Sequence, residues 1–174
     1  MSIPIYKNLA RLNEVSTSEA EAAFLDCCGS HQWARSMASE RPFRMVEHLF
    51  TAAERIWRGL SPADYLEAFA AHPKIGSKKA AASQRARAAG WSAGEQSGTA
   101  SAEKKVLDEL REANRLYEEK FGFIFIVCAT GKTAGEMLAI CKARLGNSME
   151  SELAIAADEQ LKITEIRLTK LLEQ

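Results

Sequence analysis

The chain has 174 residues, of which 47% are hydrophobic and 26% are charged, values typical of one soluble globular domain. Lys and Arg together number 23, as do Asp and Glu, so there is no net charge to attract nucleic acid or anionic membranes. No apolar run approaches the roughly 20 residues of a membrane span, and the N-terminus lacks the apolar core of a signal peptide. We therefore expect a single domain over residues 1–174, located in the cytoplasm, with no nucleic-acid or membrane partner.

The N-terminal half is dominated by helix patterns with recognisable ends. Ser16 and Glu19 match a capping box, and Gly29 marks the expected end of the same helix. The stretch "RPFRMVEHLFTAAERIWRGL" then repeats apolar residues at steps of three and four, which predicts one buried helical face. That face comprises Val46, Leu49, Phe50, Ala53, Trp57 and Leu60.

A histidine follows the next predicted helix, "SPADYLEAFAAHP". Ser61 is its expected N-cap and Pro62 its first helical residue. Because Pro73 disfavours helical backbone at the residue before it, His72 should lie at or just past the helix end. A ring held there can face a cleft, and imidazole suits proton transfer near neutral pH. A histidine with a purely structural role is the alternative.

The stretch "WSAGEQSG" lies near the start of the next helical region. Ser92, Glu95 and Gln96 offer a hydroxyl, a carboxylate and an amide that could converge on one small polar ligand. An N-terminal loop with capping residues is the alternative.

Three helices are predicted in the C-terminal half. The first has its apolar stripe at Val106, Leu110, Ala113, Tyr117 and Phe121. The second has Thr133 and Glu136 as a capping box and Gly146 as terminator. The third begins at about Ser148, and its main stripe is Leu153, Ala157, Leu161, Thr164, Leu168 and Leu171. Arg167 lies beside that stripe, on the row Ala156, Gln160, Ile163 and Arg167, and should therefore border the core.

The run "FGFIFIVCAT" is the exception to the helical pattern. Its β-branched and aromatic residues are typical of a buried strand, but no other segment offers a convincing partner strand. The fold class predicted is therefore all-α, with one short extended segment near 121–129. Its backbone N–H and C=O groups need partners. A ligand with amide-like groups could supply them, or neighbouring side chains and water could.

Two other site types lack support. "ATGKTAGE" has the context of a phosphate-binding loop, but Ile126 stands where that motif requires a glycine. The cysteines, Cys27, Cys28, Cys128 and Cys141, contain no CxxC pair and are expected to be buried free thiols. We find no metal-ligand spacing among the His, Cys, Asp and Glu residues, so no metal is expected.

The motifs in combination resemble the OHCU decarboxylases, the 2-oxo-4-hydroxy-4-carboxy-5-ureidoimidazoline decarboxylases of urate breakdown. The resemblance covers nearly the whole chain in order and rests on six segments: "RPF" (41–43), "AHPKIG" (71–76), "WSAGEQ" (91–96), "KFGFIFIVCA" (120–129), "RLGN" (144–147) and "KITEIRL" (162–168). HP, SxxEQ and FGFxF are specific together, although each is weak alone.

The resemblance implies a compact, mostly α-helical fold and cofactor-free conversion of OHCU to (S)-allantoin with release of CO2. It puts the catalytic histidine at His72, its acidic partner at Glu95 and the active-site arginine at Arg167, with Arg144 as a lower-ranked candidate. Ligand contacts would come from Pro73, Ser92, Gln96 and the backbone of Phe125, Ile126, Val127, Cys128 and Ala129. A homodimer is left open. The rival hypothesis is a non-catalytic helical module that binds a small ureido heterocycle or a partner protein.

Overall fold

The structure, a computed structural model, describes residues 3–73 and 104–174. Within these ranges the backbone forms eight helices and no β-strand, which confirms the all-α prediction. The helices are α1 (Ile3–Glu14), α2 (Thr17–Cys28), α3 (His31–Ser39), α4 (Val46–Arg58), α5 (Pro62–Ala70), α6 (Lys104–Phe121), α7 (Ala134–Arg144) and α8 (Met149–Glu173).

The helix ends follow local sequence chemistry. Both predicted capping boxes are formed, at the starts of α2 and α7. Gly29 ends α2 in the left-handed conformation, with φ of 86°, a backbone state that glycine adopts at little steric cost. Helix α7 ends at Arg144, with Leu145 as a right-handed C-cap directly before Gly146, the predicted terminator. The N–H groups of Leu145 and Gly146 bond back to the last turn.

The described helices group into two compact units. Unit 1 contains the chain up to Ala68 together with Leu161–Gln174, and unit 2 contains Phe69–Gln160.

Unit 1 is built around buried aromatic side chains. Phe24 meets the rings of Trp33 and Phe43 edge-on, with centroid separations of 5.9 and 6.2 Å. The Trp33 indole N–H donates to the Ala53 carbonyl at 3.0 Å, so its polar group is satisfied inside the core.

The "RPF" motif has a structural role in unit 1. The Arg41 guanidinium donates to the carbonyls of Leu12 and Val15, at 2.7 and 2.8 Å. These carbonyls lie at the C-terminal end of α1, where a helix leaves backbone oxygens without helical partners. Asn13 exchanges two hydrogen bonds with the backbone of Phe43, at 2.8 and 2.9 Å. The motif therefore ties the end of α1 to the segment before α4.

Unit 2 has its own aromatic core. Tyr117 contacts the rings of Phe121, Phe123 and Phe125, with centroids 4.7 to 5.8 Å apart. Gly122, with φ of 73°, ends α6 in the left-handed conformation, and its N–H donates to the Glu118 carbonyl at 2.8 Å. The chain then runs through residues 123–129 without forming a helix or a strand.

The four cysteines are buried free thiols, as expected. In the ranges that the structure covers, no helix combines the length and apolar character that crossing a membrane would require.

Candidate active site

His72 lies where the proline predicts it, two residues beyond the end of α5. Its N–H closes a final turn on the Phe69 carbonyl at 3.1 Å. His72 and Pro73 are both half-buried. The histidine is thus set on a helix end, and its ring is neither sealed in the core nor fully in water.

The His72 ring is bonded to Gln160 of α8. The distance between Nε2 of the ring and Oε1 of the amide is 2.6 Å, and Gln160 is 0% exposed. Sequence reasoning did not pair these residues. The signal that could have suggested it was the position of Gln160 on the row beside the main stripe of α8, where a polar residue must find a partner.

Side chains of unit 2 satisfy several backbone groups of the extended segment. The Cys128 N–H donates to the Glu159 carboxylate at 2.7 Å. The Ile126 carbonyl accepts from Arg144 at 2.7 Å, and the Cys128 carbonyl accepts from Lys132 Nζ at 2.8 Å. For these three groups, neighbouring side chains take the place of a partner strand. Glu159 was also missed by sequence reasoning.

The segment is buried by its side chains as well. Phe125, Ile126, Val127, Cys128 and Ala129 are each 2 to 8% exposed. Any ligand contact from these residues would therefore involve the main chain, as the resemblance implies. Because Lys132 turns back onto its own segment, the short "GKT" run is not arranged as a phosphate-binding loop.

Arg144, the lower-ranked arginine, is held in a buried network. Its guanidinium bonds to the Glu152 carboxylate, with the closest contact at 2.5 Å, and Glu152 is fully buried. The Tyr117 hydroxyl donates to the same carboxylate. Burial, followed by that hydrogen bond, raises the pKa of Tyr117. The guanidinium also lies 4.8 Å from the centroid of the Phe125 ring. Arg144 therefore contacts the extended segment through the Phe125 ring as well as through the Ile126 carbonyl.

Arg167 belongs to unit 1 and points inward, as its row on the helix predicts. It is 4% exposed, and its guanidinium donates to the Cys27 carbonyl at 3.4 Å. Burial raises the pKa of the neighbouring Cys28 thiol to about 12, while a Thr164 hydrogen bond and the Arg167 charge oppose that rise. Its role as the active-site arginine, which the resemblance implies, stays a prediction.

Three of the predicted site residues, Ser92, Glu95 and Gln96, lie outside the described residues. Across residues 3–73 and 104–174, no group of three His, Cys, Asp or Glu side chains is placed to hold a metal ion.

The family model for OHCU decarboxylase matches residues 13–169. The chain belongs to the OHCU decarboxylase family. Among solved structures, an OHCU decarboxylase crystallised in the presence of (S)-allantoin is 40% identical with a TM-score of 0.75, and the match covers 87% of this chain and 97% of that one. This family membership confirms the resemblance seen in the sequence motifs.

Two curated relatives of this chain differ in length. The Uric acid degradation bifunctional protein TTL of Arabidopsis thaliana is 44% identical over 83% of this chain, which spans only 45% of that protein. A 2-oxo-4-hydroxy-4-carboxy-5-ureidoimidazoline decarboxylase of Haloferax volcanii is 26% identical, and the match covers 93% of this chain and 94% of that protein. This chain therefore corresponds in length to the archaeal relative and to less than half of the plant protein.

Proposed function

We propose that this protein decarboxylates OHCU to (S)-allantoin and CO2 in urate degradation. The observation that carries the proposal is the match to OHCU decarboxylases over nearly the whole chain, in sequence and in fold. The half-buried His72 at a helix end supports it, since the reaction needs a group that moves a proton. The alternative, a non-catalytic binding module, would bind a ureido heterocycle without converting it.

The chemistry asks little of the protein beyond orientation and proton management. When the bond between C4 and the carboxylate breaks, its electron pair forms a double bond to C5. The electrons displaced from the ring C=N go to its nitrogen, which takes up a proton. The substrate is thus its own electron acceptor, and we expect no cofactor. What remains for the protein is to hold the substrate and to move protons at defined positions.

His72 is the proposed acid/base. Its imidazole takes the proton of the C4 hydroxyl as the carboxylate leaves, and a carbonyl forms at C4 when C5 receives a proton. Delivery of that proton to one face of C5 produces the S configuration. Glu95 holds either the imidazole or the ureido group, and Arg167 binds the ring oxygens or the carboxylate.

The remaining proposed contacts serve recognition. Pro73, Ser92, Gln96 and the backbone of residues 125–129 would bind the ring and the ureido arm. The hydrogen bonds of Glu159 and Arg144 to the backbone at Cys128 and Ile126 support this role, because they fix the main chain before a ligand arrives.

Several properties of the whole protein belong to the same proposal. The chain acts as one domain over residues 1–174, in the cytoplasm, without nucleic-acid or membrane partners, and a homodimer is the assembly to test. Analytical ultracentrifugation of the purified protein measures whether it forms this homodimer.

The variant His72→Asn tests the proposed base. Asn is polar but cannot titrate, so kcat should fall by about 10²- to 10⁴-fold, the usual effect of losing general acid–base catalysis. Binding of (S)-allantoin, measured by calorimetry, should change much less. The wild-type rate should also fall in acid, because a protonated ring cannot accept the hydroxyl proton.

The exposed His48 of α4 provides the matched control, and His48→Asn should leave both turnover and binding unchanged. Near-normal turnover in His72→Asn would refute the assignment. Equal losses of binding and rate would make His72 a recognition residue. Assays run in the presence of a chelator test the expectation that no metal is needed, since a loss of rate restored by Zn²⁺ or Mn²⁺ would contradict it.

A further inference from the structure

We infer that Gln160 is a positioning residue for His72: its amide oxygen fixes the imidazole as the Nε2–H tautomer and leaves Nδ1 as the nitrogen that accepts the proton. The catalytic part of this inference rests on the proposed function. The tautomer itself does not, and it can be measured without substrate.

The hydrogen bond between these two side chains defines the tautomer. At 2.6 Å, His72 Nε2 faces the carbonyl oxygen of the Gln160 side chain, and that oxygen can only accept a hydrogen bond. Nε2 must therefore carry a hydrogen. In a neutral imidazole the other nitrogen, Nδ1, then has the lone pair. Of the two roles proposed for Glu95, this assignment favours holding the ureido group.

Gln160 is well placed to hold the ring in one orientation. Its side chain is 0% exposed, and its helix neighbours on the same row, Ala156 and Ile163, are also buried. A buried side chain packed in this way has little freedom to change rotamer. The residue before it, Glu159, binds the Cys128 N–H at 2.7 Å. One turn of α8 thus anchors both the proposed base and the proposed ligand-binding backbone.

The hydrogen bond to Gln160 also suits the charged form of the His72 ring. When Nδ1 accepts the hydroxyl proton, the ring becomes an imidazolium and Nε2–H becomes a stronger donor. A buried carbonyl oxygen facing it stabilises the positive charge as the charge develops. The same hydrogen bond therefore selects the base nitrogen before proton transfer and stabilises the product of that transfer.

Two substitutions of Gln160 separate positioning from packing. Gln160→Met keeps the shape of the side chain but removes the acceptor, whereas Gln160→Glu keeps an acceptor at the same reach. The control Thr164→Val removes another buried polar group one turn further along α8, and thermal melting establishes that each variant is folded.

The readout is the tautomer of His72 in ¹⁵N–¹H correlation spectra of protein labelled with ¹⁵N-histidine. The chain has three histidines, and the signal that disappears in His72→Asn identifies the one of interest. Wild type, Gln160→Glu and Thr164→Val should show Nε2–H. Gln160→Met should lose this preference, and its kcat should fall by at least about tenfold with a smaller change in KM, since a wrongly oriented or wrongly protonated imidazole is a poor base.

Each outcome decides the inference. An Nε2–H tautomer retained in Gln160→Met, or found as Nδ1–H in wild type, would overturn it. So would a lost tautomer preference with an unchanged kcat. If wild type did not convert OHCU at all, the proposed function would fail, while the spectra would still show whether Gln160 sets the tautomer.

Discussion

The two buried arginines differ in the partners that the described residues give them. Arg144 bonds to a fully buried carboxylate, a tyrosine hydroxyl and the Ile126 carbonyl, all of which serve the interior of unit 2. The partners of Arg167 include a backbone carbonyl of α2 at 3.4 Å. The helical row placed Arg167 beside the core, but neither residue type nor row can specify the partner that a guanidinium meets far away along the sequence. That partner is set by tertiary packing.

The Arg144–Glu152 pair should be important for stability. Glu152→Gln removes the negative charge and leaves the Arg144 cation buried without it, which typically costs about 3–5 kcal/mol. Urea unfolding should show a correspondingly lower midpoint. Glu112→Gln breaks an exposed pair with Arg115 and should change the midpoint little. Equal shifts of the urea midpoint in the two variants would show that the buried pair stabilises the protein no more than the exposed pair does.

The Cys28 thiol should make stability depend on pH in the alkaline range. Burial raises its pKa from 9.0 to about 12, so above pH 9 the unfolded chain releases a proton that the folded chain keeps. The free energy of unfolding should therefore fall as pH rises from 9 toward 12, by at most about 1.4 kcal/mol per pH unit from this group. Urea unfolding of wild type and Cys28→Ala at about pH 8 and about pH 10 measures the effect. A fall of the same size in both proteins would contradict it.

At the level of elements, local signals predicted most helix ends. Capping boxes, the Ser61–Pro62 start of α5 and the break at Pro73 all act through neighbouring backbone groups, so they can be recognised in the sequence. Helix α7 likewise ends directly before Gly146, with Leu145 as its C-cap. The extended segment was predicted from composition, but its side-chain partners, Glu159 and Arg144, lie too far along the chain to be inferred from any local pattern.

The row on α8 that contains Arg167 leads to a prediction about substrate binding. Arg167→Lys keeps the charge but loses the planar, two-pronged donor that matches a carboxylate. KM for OHCU, kcat or both should change by at least about tenfold. Arg55→Lys alters an exposed arginine of the same unit and should have no such effect. Small and equal effects at the two sites would transfer the role to Arg144 or to another residue.

At the level of the whole molecule, the sequence predicted fold class and family better than it predicted the site. Helical periodicity and six short motifs span nearly the entire chain, and each is a property of residues close together in sequence. The candidate site depends on residues far apart: His72 and Gln160 are 88 positions apart. The row that contains Gln160 was visible in the pattern of α8, but the bond of Gln160 to His72 is a consequence of folding.

Circular dichroism of the product is the decisive measurement for the proposed function. OHCU is generated in solution and its decay is followed with and without the protein. Unassisted protonation at C5 has no preferred face and gives equal amounts of the two enantiomers of allantoin, so its product has no net circular dichroism signal. We expect the protein to accelerate the decay and to build up the signal of (S)-allantoin, and His72→Asn to reduce the rate at which that signal appears. A decay at the unassisted rate with no net signal, in a sample that binds allantoin, would show that the protein is a binding module and not a decarboxylase.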